Sequence, residues 1–334
     1  SAVFIEPISE DLTTYTVFKK ADKSKTFNPF ECTVINQVTT QISGETLRPN
    51  ADDSTLRTFR LAVSTTGEYT AYFGGTKAGA LAAINASMTR VNGVFEKDFG
   101  ARLIIIANTD LVIYTSASTD PYAASSSMSQ WNAQLQSTLT SVIGEANYDI
   151  GHLFGASGGG GNAGCIGCIC STGKGSAYTS PSNGIPSGDT FDIDYVAHEI
   201  GHQMGANHTF SMSNEGTGVN KEVGSGITIM GYAGITSQDV APHSIAIYHA
   251  TNIQQIQTNM AGKTCPITTS LTGTNATPVV SAVSNFTVPK STPFALTGVA
   301  TDADATDVLT YCWEQDDNST TSGNASFASA TKTT

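Results

Sequence analysis

The sequence predicts an α/β (α+β) domain in which a histidine-bearing helix packs under a twisted mixed sheet, and three observations carry that prediction. Strand-like and helix-like runs interleave through the middle of the chain, as they do when helices are layered on a sheet. A run with helical spacing, His198-Glu199-Ile200-Gly201-His202-Gln203-Met204-Gly205-Ala206-Asn207-His208, lies within that zone. The texture changes on both sides, to a lysine-bearing N-terminal zone and a Thr-rich C-terminal one.

Residues 1–54 mix short apolar stretches with Lys19, Lys20, Lys23 and Lys25, and end in Arg48-Pro49-Asn50-Ala51-Asp52-Asp53-Ser54, which reads as a linker. Arg57 to Val63 has strand character. Leu81, Ile84, Met88, Val91 and Phe95 keep helical spacing, and Leu103 to Ala107 and Leu111 to Tyr114 return to strands. Trp131, Leu135, Leu139 and Val142 mark a second helix, and Tyr148 to Phe154 a further strand before the glycines at 158–161. His152 on that strand reads as structural. Asp192 and Asp194 place negative charge at the start of the histidine helix, and Ile193, Val196, Ala197, Ile200 and Met204 give it an apolar face. Tyr248 to Met260 reads as the last helix of this zone.

After Cys265-Pro266 comes a Thr-rich linker through Pro278. Val279-Val280, Phe286 to Val288, Phe294 to Leu296 and Leu309 to Trp313 follow as short strands resembling the start of an immunoglobulin- or cadherin-like β-sandwich. A complete sandwich takes about 100 residues, so a truncated module is expected. Asp302, Asp304 and Asp307 offer oxygens to calcium or form an exposed acidic turn.

The chain has 334 residues and a net charge of -12, which argues against nucleic acid or an anionic membrane as its main partner. No apolar run approaches the roughly 18 residues of a membrane span. Ser1-Ala2-Val3-Phe4 lacks the charged start and long apolar centre of a signal peptide, so the expectation is a processed, secreted and monomeric protein.

The chemistry rests on the histidine string. On a helix, His198 and His202 stand one turn apart on the same face, so both imidazoles reach one metal ion. Glu199 sits beside the first ligand, placed to accept a proton from water. Gly205 takes the left-handed conformation that ends a helix and lets His208 return as a third ligand. Three protein ligands with an open fourth position describe a catalytic zinc site.

This string resembles the metzincin clan of zinc metallopeptidases. Gly226-Ile227-Thr228-Ile229-Met230-Gly231-Tyr232 is similar to the clan's Met-turn, which implies that Met230 forms an apolar floor beneath the zinc. Tyr232 is either a tyrosine reaching the zinc or the tetrahedral intermediate, or a packing residue. Arg57 to Val63 with Thr66-Gly67-Glu68-Tyr69, and Ala163-Gly164-Cys165-Ile166-Gly167-Cys168-Ile169-Cys170, resemble the opening strand and cleft-edge strand of bacterial secreted reprolysin (ADAM-type) enzymes. Thr209-Phe210 after the third histidine, and Tyr232, look more like the pappalysin group. The resemblance covers about residues 55–266.

What it implies is a secreted zinc-dependent endopeptidase acting on extended protein or peptide substrates. Gly164 and Ile166 would lie along the peptide, and His243 would shape the pocket after the scissile bond. The domains would be a prosegment tail over 1–54, a metzincin-type catalytic domain over 55–266, and the linker with its partial sandwich over 267–334. Six cysteines are present. By the resemblance, Cys170 pairs with Cys265. Cys165 and Cys168 suggest a metal or redox pair, but in an oxidising compartment a disulfide is the better reading. Cys32, upstream of the catalytic zone, would fill the open zinc position as the switch of a zymogen, and a disulfide to Cys165 or Cys168 competes. The alternative from another class is an extracellular binding or adhesion protein whose zinc-stabilised domain is catalytically silent.

Overall fold

The computed structural model describes residues 3–7, 15–19, 30–34, 53–281, 284–289, 291–316 and 318. Lys20, Lys23 and Lys25, and the expected linker as far as Asp52, lie outside them. An antiparallel pair, β1 (Val3–Pro7) and β2 (Tyr15–Lys19), opens the chain. The central sheet comprises β3 (Glu31–Cys32), β4 (Thr55–Thr65), β5 (Ala101–Ile105), β6 (Ile150–Phe154), β7 (Gly160–Asn162), β8 (Ala177–Ser180) and β9 (Ile267–Ser270). Its order is β3-β7-β8-β6-β4-β5, with β9 antiparallel to the start of β4. β5, β4, β6 and β8 run parallel; β7 is antiparallel to β8, and β3 runs parallel to β7. The sheet is therefore mixed, reversed at one edge by β7 and β3 and again where β9 meets the start of β4.

Side chains alternate across β4, and that alternation builds two cores. Phe59, Leu61 and Val63 face a large cluster shared with α2 (Lys77–Phe99), α4 (His198–Met204) and α5 (Ala250–Ala261). Ala62 faces the opposite cluster, where Trp131, Leu135 and Leu139 pack from α3 (Trp131–Thr138) and the π-helical turn that continues it. A short helix, α1 (Gly67–Tyr72), follows β4 directly, its start capped by Thr66. α2 is delimited at both ends, by the Thr76 side chain accepting from Gly79 N at 3.1 Å and by Gly100 in the left-handed region at φ 63°.

Two expected stretches differ. Leu111 to Tyr114 is not a strand: residues Thr109–Val112 form a 3₁₀ turn, held by Thr109 Oγ1 against the Val63 backbone. Of these residues, Ile113 alone makes a single parallel bridge, to Thr65 of β4, and Leu111 is exposed. In the C-terminal zone, β10 (Val279–Val280) and β11 (Ala300–Thr301) pair antiparallel, while Phe286 to Val288, Phe294 to Leu296 and Leu309 to Trp313 form no strand among the described residues. Among the described residues Phe286, Phe294 and Trp313 stay exposed. Asp302 and Asp304 accept hydrogen bonds from Asp304 N and Ala276 N, which closes an acidic turn. No described helix is long and apolar enough to cross a membrane.

His152 on β6 ties the sheet to the histidine helix. Its Nδ1 donates to Gln203 Oε1 at 3.0 Å, its Nε2 accepts from Thr179 Oγ1 at 2.8 Å, and Gln203 Nε2 donates onward to Gly151 O at 3.0 Å. Burial lowers the His152 pKa from 6.5 to about 4. The unfolded chain therefore binds the extra proton first, so stability falls as pH drops below about 6.5, and the loss is complete near 4. At 1.36 kcal/mol per pKa unit the full effect is about 3 kcal/mol. Urea unfolding across this range should show a steeper loss for the native chain than for His152→Gln; parallel curves would remove His152 from the acid sensitivity.

Candidate metal centre

The site is built on a continuous helical segment. A π-helical turn over Thr190–Ala197 runs straight into α4, and its start is anchored by the Arg90–Asp189 ion pair at 2.8 Å from α2. His198 and His202 project from α4 on one face and are buried. Gly205 ends the helix at φ 123°, a conformation that L side chains rarely adopt. Beyond it, α5 grips the returning chain: Asn207 N donates to Gln255 Oε1 at 3.0 Å, and Asn252 Nδ2 donates to Asn207 O at 2.8 Å. That grip delivers His208 to the other two rings.

The Nε2 atoms of His202 and His208 lie 3.1 Å apart, and Cys32 Sγ lies 3.5 Å from His202 Nε2. One ligand atom from each of Cys32, His198, His202 and His208 falls within 4.8 Å of all the others. Every Nδ1 is held from outside: His198 by Ile229 O at 2.7 Å, His202 by Ala206 O at 2.7 Å, and His208 by Glu215 Oε1 at 3.1 Å. The Nε2 lone pairs therefore face inward, and His198 Nε2 is buried without a hydrogen-bond partner. Tetrahedral zinc with Zn–N bonds of about 2.0–2.1 Å separates its nitrogens by roughly 3.3 Å, so the residues present fit that ion. Burial and the neighbouring His208 lower His198 to about 3, and burial also lowers His202, so both rings are neutral, the form that binds metal.

Glu199 is fully buried, and its two oxygens accept no well-formed hydrogen bond; the Cys32 thiol is the polar group facing them. Burial raises Glu199 to about 8, opposed by that thiol. Burial also pushes the Cys32 thiol up, and the Glu199 charge adds to the effect. Gly161 on β7 makes room for this carboxylate, since a Cβ there would lie 2.2 Å from Glu199 Oε1.

Cys32 is a free thiol, because Cys165 pairs with Cys168 and Cys170 with Cys265. Its segment lies on the sheet edge: Glu31 N donates to Gly159 O at 3.1 Å and Thr33 N to Gly161 O at 2.9 Å. Phe30 is buried and stacks on Tyr195 at 4.0 Å. Met230 is buried with its sulfur against Gly201 of the histidine helix, and Thr209 N donates to its carbonyl at 3.1 Å. The Tyr232 hydroxyl lies 3.2 Å from His208 Nε2 and donates to Cys32 O at 3.4 Å.

The expected edge strand at 163–169 is displaced. The strand formed there is Gly160–Asn162, with β3 on its outer side, and the following residues form bends closed by the Cys165–Cys168 disulfide. Gly164, at φ 70°, lines a cavity of about 630 Å³ with Thr33, Asn132 and Asn162, whereas Ile166 is buried and does not line it. His243 is half-buried on the loop after Met230, with Nδ1 donating to Ser244 O at 3.0 Å, and is not one of the clustered ligands.

Sequence reasoning missed Gly161, Glu215 and Glu222. The glycine run at 158–161 was the available signal for the first; no pattern marks the other two. The Glu222 carboxylate accepts from the hydroxyls of Thr209 and Thr228 and from Ile227 N and Thr228 N, the last two at 2.9 Å. It thereby joins the segment after the third histidine to the turn carrying Met230.

A comparison with curated proteins finds none that matches. Among solved structures, one described as "Structure of a chaperone-substrate complex" is 14% identical with a TM-score of 0.35, covering 61% of this chain and 36% of that chain. This chain thus spans about a third of the length of that one. The family model described as Metallo-peptidase family M12B Reprolysin-like matches residues 55–260, from the first long strand through the histidine helix and the Met230 turn to α5. Because that match takes in more than half of the chain, the protein belongs to the reprolysin-like metallopeptidases of family M12B.

Proposed function

We propose that the chain is a secreted, monomeric zinc endopeptidase cutting extended protein or peptide segments, and that residues 30–34 hold it latent with Cys32 as fourth ligand. The observation carrying this reading is the cluster of Cys32, His198, His202 and His208, whose ligand atoms lie within 4.8 Å of one another. His198, His202 and His208 would hold the ion, with Met230 beneath them. Zinc supplies Lewis acidity, which acidifies water to a pKa of about 7 and polarises a carbonyl.

The remaining chemistry belongs to the chain. Glu199, buried beside the ligand histidines, takes a proton from the attacking water and hands it to the departing amine. The Tyr232 hydroxyl, beside His208, is positioned to donate to a developing oxyanion. A peptide lying along β7 in place of β3 would make main-chain hydrogen bonds, which suits an extended substrate cut internally. His243 and Gly164 are proposed to border the subsites on either side. Two disulfides among the described residues favour an oxidising, extracellular setting. A silent, zinc-stabilised binding domain would have no use for a buried carboxylate beside its metal, and this favours the enzyme.

Glu199→Ala should keep about one zinc per chain in metal analysis while hydrolysis of a quenched fluorescent peptide falls by about 10²- to 10⁴-fold. Equal loss of metal would make Glu199 a ligand or a structural residue instead of the base.

The intact chain should be nearly inactive, and cleavage between residues 34 and 55 should release activity. Cys32→Ser should weaken the block without cleavage, because a hydroxyl is a poorer zinc ligand than a thiolate. Equal activity of the intact native chain, the Cys32→Ser chain and the cleaved chain would remove the latency.

A further inference from the structure

The three imidazoles are not held alike. His198 and His202 donate from Nδ1 to backbone carbonyls, whereas His208 Nδ1 faces the two oxygens of Glu215 at 3.1 and 3.3 Å. The difference follows from where the rings sit in the fold. α4 sets where the first two side chains start, but His208 comes from irregular chain beyond Gly205 and has no helical frame. A side chain must supply what the helix does not.

We propose that Glu215 is a positioning residue for the metal: its carboxylate locks the Nδ1–H form of His208, sets the ring's direction and strengthens Nε2 as a donor. This rests on the zinc reading above. A carboxylate does this better than a carbonyl because its full charge draws the Nδ1 proton and raises the basicity of the opposite nitrogen. Glu215 is itself anchored. Its N–H donates to Asn220 Oδ1 at 3.2 Å, and Asn220 Nδ2 donates to Phe210 O at 2.8 Å. Its side chain is 19% exposed against 2% for His208, so water screens the pair only in part. Phe210 stacks on the His208 ring at 4.9 Å and restricts its tilt, which leaves rotation about the ring axis for the carboxylate to fix.

The test uses the full chain and its Glu215→Ala and Glu215→Gln variants, with three readouts: zinc dissociation constant by chelator competition, visible spectrum of the cobalt(II)-loaded protein, and Tm of the chelator-stripped protein. Glu215→Ala should raise the zinc Kd by about 10- to 100-fold, the usual cost of losing such a partner. Its cobalt absorption should shift. Glu215→Gln, which keeps an acceptor but not the charge, should recover part of the affinity, and the stripped Tm of both variants should match the native chain. Unchanged zinc affinity in both variants overturns the proposal. So does a loss of affinity matched by a fall in the stripped Tm, which would make Glu215 an ordinary structural residue. His202→Ala separates the two levels: if it also binds zinc like the native chain, the metal reading itself fails, and if it alone loses zinc, only the role of Glu215 fails.

Discussion

Three imidazoles can aim Nε2 at one small buried volume only if something outside that volume holds every Nδ1. Each partner comes from a different part of the fold: the carbonyl of Ile229 from the turn that carries Met230, the carbonyl of Ala206 from the tail of α4, and the Glu215 carboxylate from the loop after His208. Much of the polar interior serves these three contacts. Gln255 and Asn252 on α5 fix the backbone of Asn207, and Glu222 fastens Thr209 to Thr228. Loosening any of these elements would let one ring swing, and a tetrahedral ligand set tolerates little such error.

The electrostatics of the same volume point the same way. Without a cation, burial disfavours the charged forms of Cys32 and Glu199, the Glu199 charge adds to the penalty on the thiol, and His198 and His202 stay neutral. Such a set suits a dication, because the ion offsets the penalty on the thiolate and the carboxylate and binds imidazoles in the neutral form that burial already favours. The close seat of Glu199 against β7 depends on Gly161, so this carboxylate is positioned by that strand as well as by its helix.

Much of this was legible in the sequence, and for identifiable reasons. His198, Glu199 and His202 are linked by helix geometry, so spacing alone brings them together. His208 follows because Gly205 licenses a sharp turn of known kind. The helix over 77–99 and the strand at 150–154 were visible as apolar periodicity. The edge strand was misplaced because Ala163 to Cys170 carries the apolar residues expected of a strand, yet a disulfide closing Cys165 on Cys168 bends that run, and the pairing falls to the featureless glycines before it. Glu215 and Glu222 were invisible for a different reason: they act across an irregular loop, where no period relates a residue to the atom it contacts. The strands expected after Pro278 carry the right side chains, but a strand needs a partner, and a run of apolar residues does not specify one.

The Cys170–Cys265 disulfide divides the ligand set by topology. His198, His202, His208, Met230 and Tyr232 all lie inside the 95-residue covalent ring it closes, together with Glu199 and Glu215. Cys32 lies outside it. A ring of that length restricts the unfolded chain by about 4–5 kcal/mol, and the restriction falls entirely on the residues that would hold the metal for good. If Cys32 is the fourth donor, as proposed, backbone cleavage anywhere in 35–54 would leave the ring untouched and make the sulfur a dissociable ligand, its local concentration falling from that of a tethered group to that of the solution. On the latency proposed above, the three histidines would form the part of the ligand set that survives such a cut, and Cys32 the arm that the cut sets free.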